Sequence, residues 1–156
     1  MQKHWSNPNI VEWCQYLLNS YVYWTKNELL KRDGTPLTQA ERLFDYSQIV
    51  VSHGIQIDPV LNFGNRSALP LWEMDWEQFT RTPSRLTAEP MNREERSRML
   101  AQAQNQGYIS DYRGIRISST GKRFLINQAI IWTVQDTNGA TVGQAATFSD
   151  WQFLND

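Results

Sequence analysis

Lys122-Arg123-Phe124-Leu125-Ile126-Asn127-Gln128-Ala129-Ile130-Ile131-Trp132-Thr133-Val134-Gln135 is the stretch that decides the fold. Phe124, Ile126, Ile130, Trp132 and Val134 fall on one parity, while Leu125, Ala129 and Ile131 fall on the other. Alternate side chains of a strand point to opposite faces, so a run that is apolar on both parities is covered on both. Something must therefore pack above this strand and below it.

The flanking sequence supplies the rest of a sheet. Residues 108–117 and 141–148 read as strands, set off by turn signals at 118–121 and 136–139. Upstream, residues 48–53 are rich in β-branched side chains and read as a strand, with 59–64 as its partner across a short polar turn. Between the two groups lie three helical pieces. Asn65 caps one running to about Met74, Asp75 with Gln78 suits a short turn, and Asn92 with Glu95 opens a longer helix that stops before Gly107.

The N-terminal third is helical. Asn7 caps a long helix with Pro8 at its first position, and Gly34 follows its expected end. Ile10, Cys14, Leu17, Tyr21 and Trp24 recur at helical spacing, widened by Trp13, Leu18 and Val22. Thr38 with Glu41 reads as the capping box of a second, shorter helix. The expected architecture is α+β: a five-stranded antiparallel sheet, short helices on one face and the long N-terminal helix on the other. It reads as a single domain over 1–156, with a helical extension (1–46) and a sheet-containing core (47–151).

Composition narrows the function classes. A chain of 156 residues buries enough surface to need neither disulfide nor metal. Fifteen basic against sixteen acidic residues give a net charge of −1, which supplies no basic face for nucleic acid. The lone cysteine, Cys14, suits a reducing cytoplasm, and no stretch is apolar enough to span a membrane. The aromatic share is 12% with seven tryptophans, which points to a thick core, a lined pocket or an interface.

Particular segments resemble known families. Val60-Leu61-Asn62-Phe63-Gly64-Asn65-Arg66-Ser67-Ala68, the region from Trp72 to Leu86, and Asp136-Thr137-Asn138-Gly139 with Gly143 resemble the PAS pattern of strand, short helices and terminal hairpin. More narrowly, Gly114-Ile115-Arg116-Ile117-Ser118-Ser119-Thr120-Gly121-Lys122, then Asn127 through Asp136, then Phe148-Ser149-Asp150-Trp151 resemble the MEKHLA domain. That PAS-related family occurs as stand-alone proteins in bacteria, notably cyanobacteria. It also forms the C-terminal region of plant class III homeodomain–leucine-zipper factors, where it is associated with control of dimerisation. The resemblance implies a PAS-like fold and a regulatory role; it implies no ligand.

Chemistry is sparse. His4 and His53 are the only histidines, and with Cys14 they show no metal-ligand spacing, so neither zinc nor haem is expected. Where flavin photoreceptors of the PAS class carry their reactive cysteine, the resemblance places Ser84, which excludes a flavin–thiol adduct. No cofactor is implied; a non-covalent small ligand fits the fold, and flavin is not its expected identity. Gly114 through Lys122 lacks phosphate-loop spacing and has Arg123 where Ser or Thr would hold magnesium. Arg93, Arg96 and Arg98 read as a solvated charged helix face.

The leading reading is a non-catalytic sensory or regulatory module that binds a small ligand, mediates protein–protein or self-association, or does both. Candidate pocket positions are Val50, Phe63, Trp72, Phe79, Leu86, Met99, Asn127, Ala129 and Phe148. Asn127 would orient a polar edge of the ligand, although parity leaves open whether Asn127 or Gln128 faces inward. The stripe of Trp13, Leu17, Tyr21 and Trp24 reads either as core or as a dimer interface. The second reading is a pure interaction domain with a filled core. The third is a small enzyme using His53 with Asp58 or Glu73, and it has no accompanying nucleophile.

Overall fold

In a computed structural model, residues 3–155 are described. A 3-10 turn at His4–Ser6 leads into helix α1 (Pro8–Thr25). Asn7 caps α1 by accepting from the Asn9 N–H at 2.9 Å, with Pro8 at the first position. The helix ends well before Gly34. Lys26 turns left-handed (φ 64°), and the Thr25 hydroxyl donates to the Tyr21 carbonyl and accepts from the Asn27 N–H. Leu29 and Leu30 then fold the chain back into the core.

Helix α2 (Pro36–Phe44) begins earlier than the Thr38–Glu41 pair suggests. Thr35 is the cap, accepting from the Thr38 N–H at 3.2 Å, and Pro36 takes the first helical position that it tolerates best. Strands β1 (Ile49–His53) and β2 (Leu61–Gly64) follow, then short helices α3 (Ala68–Trp72) and α4 (Trp76–Phe79). A 3-10 turn at Ser84–Thr87 leads to α5 (Pro90–Gln106), which starts at Pro90 rather than behind an Asn92 cap. The last third holds β3 (Tyr108–Ile117), β4 (Arg123–Gln135), β5 (Thr141–Phe148) and β6 (Asp150–Phe153).

The sheet is antiparallel in the order β2-β1-β5-β4-β3, and β6 adds a sixth strand by pairing with β4. The chain bends at Ser149, so β4 pairs with β5 from Ile130 onward and with β6 up to Asn127. At the changeover Gln128 adopts φ 51° and forms a bulge opposite β3. The bulge reverses the parity of the second half of β4. Phe124, Ile126, Ala129 and Ile131 join one core, while Trp132 and Val134 join the other, with Ile130 packed beside them. Both faces are covered, as expected, but the side chains are dealt out differently from simple alternation.

One core lies between the sheet and α1–α2, around Cys14, Leu17, Leu18, Tyr21, Leu43, Val50, Phe63 and Trp132. The other lies under α3–α5, around Trp72, Phe79, Met99, Phe124 and Phe148. Trp132 anchors the first: its indole donates to the Leu17 carbonyl at 3.1 Å, and Tyr21 meets its ring edge-on at 5.0 Å.

The α1 stripe is thus committed to the chain's own sheet. Leu17 and Tyr21 are buried, the Trp13 indole donates to Ser52 Oγ, and the Trp24 indole donates to the Thr133 carbonyl, both at 2.8 Å. Of the two readings of Trp13, Leu17, Tyr21 and Trp24, this packing is the core one, and it corrects their assignment to a dimer interface. An amphipathic stripe has the same spacing whether its partner is this sheet or a second copy. Cys14 is fully buried, and desolvation pushes its thiol up to about 12. Among the described residues no helix is long and apolar enough to cross a membrane.

Candidate functional site

Beneath α5 the sheet borders a cavity of about 70 Å³. Its walls come from β1, β2, α3, α4, the Ser84–Thr87 turn, α5, β3, β4 and β5, so nearly every element around the second core contributes. Trp72, Phe79, Met99, Ala129 and Phe148 line it. Trp72 holds the aromatic part of the wall, meeting Phe79, Phe124 and Phe148 at tilted angles with centroids 5.2–6.3 Å apart.

The other four candidate positions lie elsewhere. Val50 and Phe63 belong to the α1-side core. On β1 the cavity side is taken by Val51 and His53, and a register shift between Ser52 and His53 turns Leu61 rather than Phe63 toward it. Leu86 is 43% exposed, and Thr87 of the same turn reaches the wall instead. Asn127 accepts from Arg113 Nε at 3.0 Å, and Gln128 is exposed on the bulge, so neither faces the cavity.

The polar part of the wall was missed from sequence. Arg96 and Arg116 are only 8% and 6% exposed, which corrects the reading of Arg96 as part of a solvated face. Arg96 Nη2 donates to Ser84 Oγ at 2.7 Å. Arg116 donates to the Ile115 carbonyl at 2.8 Å and to Tyr112 Oη at 3.1 Å. Tyr112 in turn donates to the Glu95 carboxylate. A signal for Arg96 existed: it lies three residues before Met99 and seven before Ala103, both on the buried face of α5.

Burial, and next the Arg116 charge, pull Arg96 down to about 10, still above neutral pH. Gln144, on the same wall, donates from Nε2 to the Leu100 carbonyl at 2.9 Å. Two further wall groups are buried without a hydrogen-bond partner among the described residues: His53 Nε2 and the Trp72 indole Nε1.

His53 is held by its other nitrogen, Nδ1, 2.9 Å from the Gly54 carbonyl. A carbonyl only accepts, so Nδ1 carries the proton and the neutral ring leaves Nε2 as an acceptor. Desolvation is the main reason its pKa is lowered; Arg96 lowers it further and the Gly54 bond opposes both. The unfolded chain therefore binds a proton at His53 near pH 6.5 that the folded chain refuses until the pH is lower. Stability from this group is full above about pH 6.5 and falls as pH drops toward the folded value. Urea midpoints measured from pH 8 to pH 5 should show this slope reduced in His53→Asn, which keeps a donor near Nδ1 but does not titrate. An unchanged slope would place the proton uptake on other groups.

The proposed acidic companions of His53 are not gathered around it. Asp58 pairs with Arg85 at 3.2 Å on the surface. Glu73 accepts from Ser118 at 2.8 Å and from Thr120, and pairs with Lys122 at 3.4 Å. Those hydroxyl hydrogen bonds, Thr120 first, hold its carboxyl below the usual range. Glu73 thus pins the 118–121 turn, away from the cavity wall.

The family model of the MEKHLA domain matches residues 11–153. Homeobox-leucine zipper protein ATHB-9 of Arabidopsis thaliana is 24% identical over 154 residues, covering 96% of this chain and 18% of that protein. Homeobox-leucine zipper protein REVOLUTA of the same plant is 23% identical, covering 95% and 18%. The chain therefore spans under a fifth of the length of these relatives.

Among solved structures, the PAS domain of a Colwellia psychrerythraea protein superposes with a TM-score of 0.62 at 20% identity, covering 74% of this chain and 97% of that one. The light-state dimer of the fungal blue-light photoreceptor Vivid gives 0.60 at 12% identity, covering 96% and 100%. The fold is PAS-like.

Proposed function

This chain belongs to the MEKHLA domain family, and on that premise we propose that it is a non-catalytic sensory or regulatory module. It binds a small ligand in the cavity under α5 and passes the resulting change to a protein partner or a second copy. The observation that carries this reading is the wall itself: a cavity with an aromatic lining, two buried arginines, and buried His53 and Trp72 nitrogens that have no hydrogen-bond partner among the described residues. Buried polar groups are nearly always satisfied, so a set of unsatisfied ones around one space favours an occupant.

The module works as one unit in the cytoplasm. Helices α1 and α2 cover one face of the sheet, and a ligand that binds one arrangement better shifts the population toward it. A non-catalytic role is supported by His53 being held at Nδ1 by the Gly54 carbonyl while Asp58 and Glu73 pair elsewhere. A pure interaction domain is the second reading, favoured by the small cavity and by exposed Ile55 and Ile57 in the β1–β2 loop.

Native purification followed by denaturation and mass spectrometry separates the two. A stoichiometric compound released on denaturation, or one that raises Tm on addition, supports the sensor. A ligand-free protein that no small molecule stabilises, and that self-associates on dilution series, supports the interaction domain and sinks the sensor.

A further inference from the structure

We propose that the cavity under α5 is a carboxylate site: it takes a short-chain monocarboxylate, with Arg96 and Arg116 meeting the charged end and the aromatic wall holding the apolar end. This rests on the reading of the cavity as a ligand site and adds the chemical class. The first observation is a pair of positive charges with too little to balance them. Among the described residues neither Arg96 nor Arg116 makes an ion pair, although both are more than nine-tenths buried. A buried charge is costly to leave unpaired, and two of like sign near each other more so.

What each arginine does instead is limited. A guanidinium has five N–H donors in a planar fork suited to carboxylate. Arg96 uses one hydrogen bond, to Ser84, and Arg116 uses two, to Ile115 and Tyr112. Glu95 is the nearest acid by hydrogen bonding, and Tyr112 stands between it and Arg116 at 3.0 Å and 3.1 Å. The tyrosine thus relays part of a negative charge to Arg116, while Arg96 feels the Glu95 charge but, among the described residues, has no acid hydrogen-bonded to it directly or through one side chain.

The second observation is the unpartnered nitrogens on the same wall. The Trp72 Nε1–H is an obligatory donor, and His53 Nε2 accepts when neutral and donates when protonated. An anion with two acceptor oxygens answers the two arginines and the Trp72 N–H, and it answers His53 Nε2 once that ring is protonated; a neutral hydrocarbon answers none of them. Inorganic phosphate would match the arginines but leave Phe79, Met99, Ile126 and Phe148 facing a hydrated ion. Size sets the tail. The space of about 70 Å³ is small, which limits the acid to a short chain.

The test uses the full chain, freed of bound small molecules by dialysis, at low ionic strength. Sodium propionate and butyrate are compared with propionamide, butyramide and inorganic phosphate by thermal melts and titration calorimetry. At about 100 times Kd the fitting acid should raise Tm by roughly 5–10 °C, with the amides and phosphate giving little. Arg96→Met should weaken acid binding by at least about tenfold, as expected for losing one charged partner. It should also leave the ligand-free Tm equal or higher, because an apolar replacement removes an unpaired buried charge.

Equal stabilisation by acid and amide would overturn the carboxylate assignment and leave the sensor standing. So would a co-purifying compound that carries no acid group. No binding by any probe, with no co-purifying compound, would overturn both. Because the acid–amide comparison is made on the wild-type chain, it remains decisive even if Arg96→Met fails to fold.

Discussion

Asn65→Ala is expected to lower stability by about 3–5 kcal/mol, the cost of orphaning several buried backbone groups together with a small void. Asn65 is fully buried where four elements meet. Its Oδ1 accepts from the N–H groups of Val50 at 3.1 Å and Ala68 at 3.2 Å. Its Nδ2 donates to the carbonyls of Gln48 at 2.7 Å, Tyr46 at 3.2 Å and Leu43 at 3.4 Å.

Ala68 and Tyr46 have second partners, the Asn65 carbonyl and the Ser67 hydroxyl, so the loss falls hardest on Val50 N–H and the Gln48 carbonyl. Asn65→Asp makes the test sharper. It keeps the shape but turns an oxygen toward three carbonyls, so chemical denaturation should find it at least as damaging as alanine. If aspartate is tolerated while alanine is not, volume rather than hydrogen bonding governs the site.

Gly107→Ala should also be severe, at about 3–5 kcal/mol. Two effects add. Gly107 sits at φ 89° and ψ −45°, a conformation that costs an L-residue on the order of 1–3 kcal/mol. An added Cβ would also clash with the Trp24 ring. That ring has little freedom to retreat, because its indole donates to the Thr133 carbonyl while the Thr133 N–H donates to the Gly107 carbonyl. A double-mutant cycle with Trp24→Ala separates the two effects. With the indole gone, Gly107→Ala should cost only the backbone part; an undiminished cost would show that the ring contact is irrelevant.

Much of the architecture is readable in the sequence because local and tertiary preferences agree there. The boundaries of β3 and β5 follow from turn residues on either side, and Asp75 caps α4 by accepting from the Gln78 N–H at 2.8 Å. Helix starts are less legible where two caps compete. Thr35-Pro36 and Glu89-Pro90 prevail over the downstream Thr38–Glu41 and Asn92–Glu95 pairs, since proline is preorganised for the first turn.

The candidate site was half legible for a different reason. Apolar wall residues announce themselves by type, whereas Val50 and Phe63 were assigned to the wrong face by one step of register. The Gln128 bulge carries no glycine to mark it. Arg96 stands in a run of charged residues, and only its helical phase relative to Met99 distinguishes it from its exposed neighbour Arg98.

The pairing of α1 with β4 joins segments far apart in the chain: Leu17 with Trp132, Ser20 with Gln135, and Trp24 with Thr133, at sequence separations of 109–115 residues. At the usual ~5–20 residues per second of synthesis, α1 leaves the ribosome roughly 5–25 s before the strand that covers it. For that interval a helix-forming segment with three aromatic residues on its stripe lacks the strand that covers Tyr21 and Trp24. Nascent chains halted before residue 130 should therefore be avid clients of hydrophobic-segment chaperones. A permuted chain that places α1 after β6 should be a poor one.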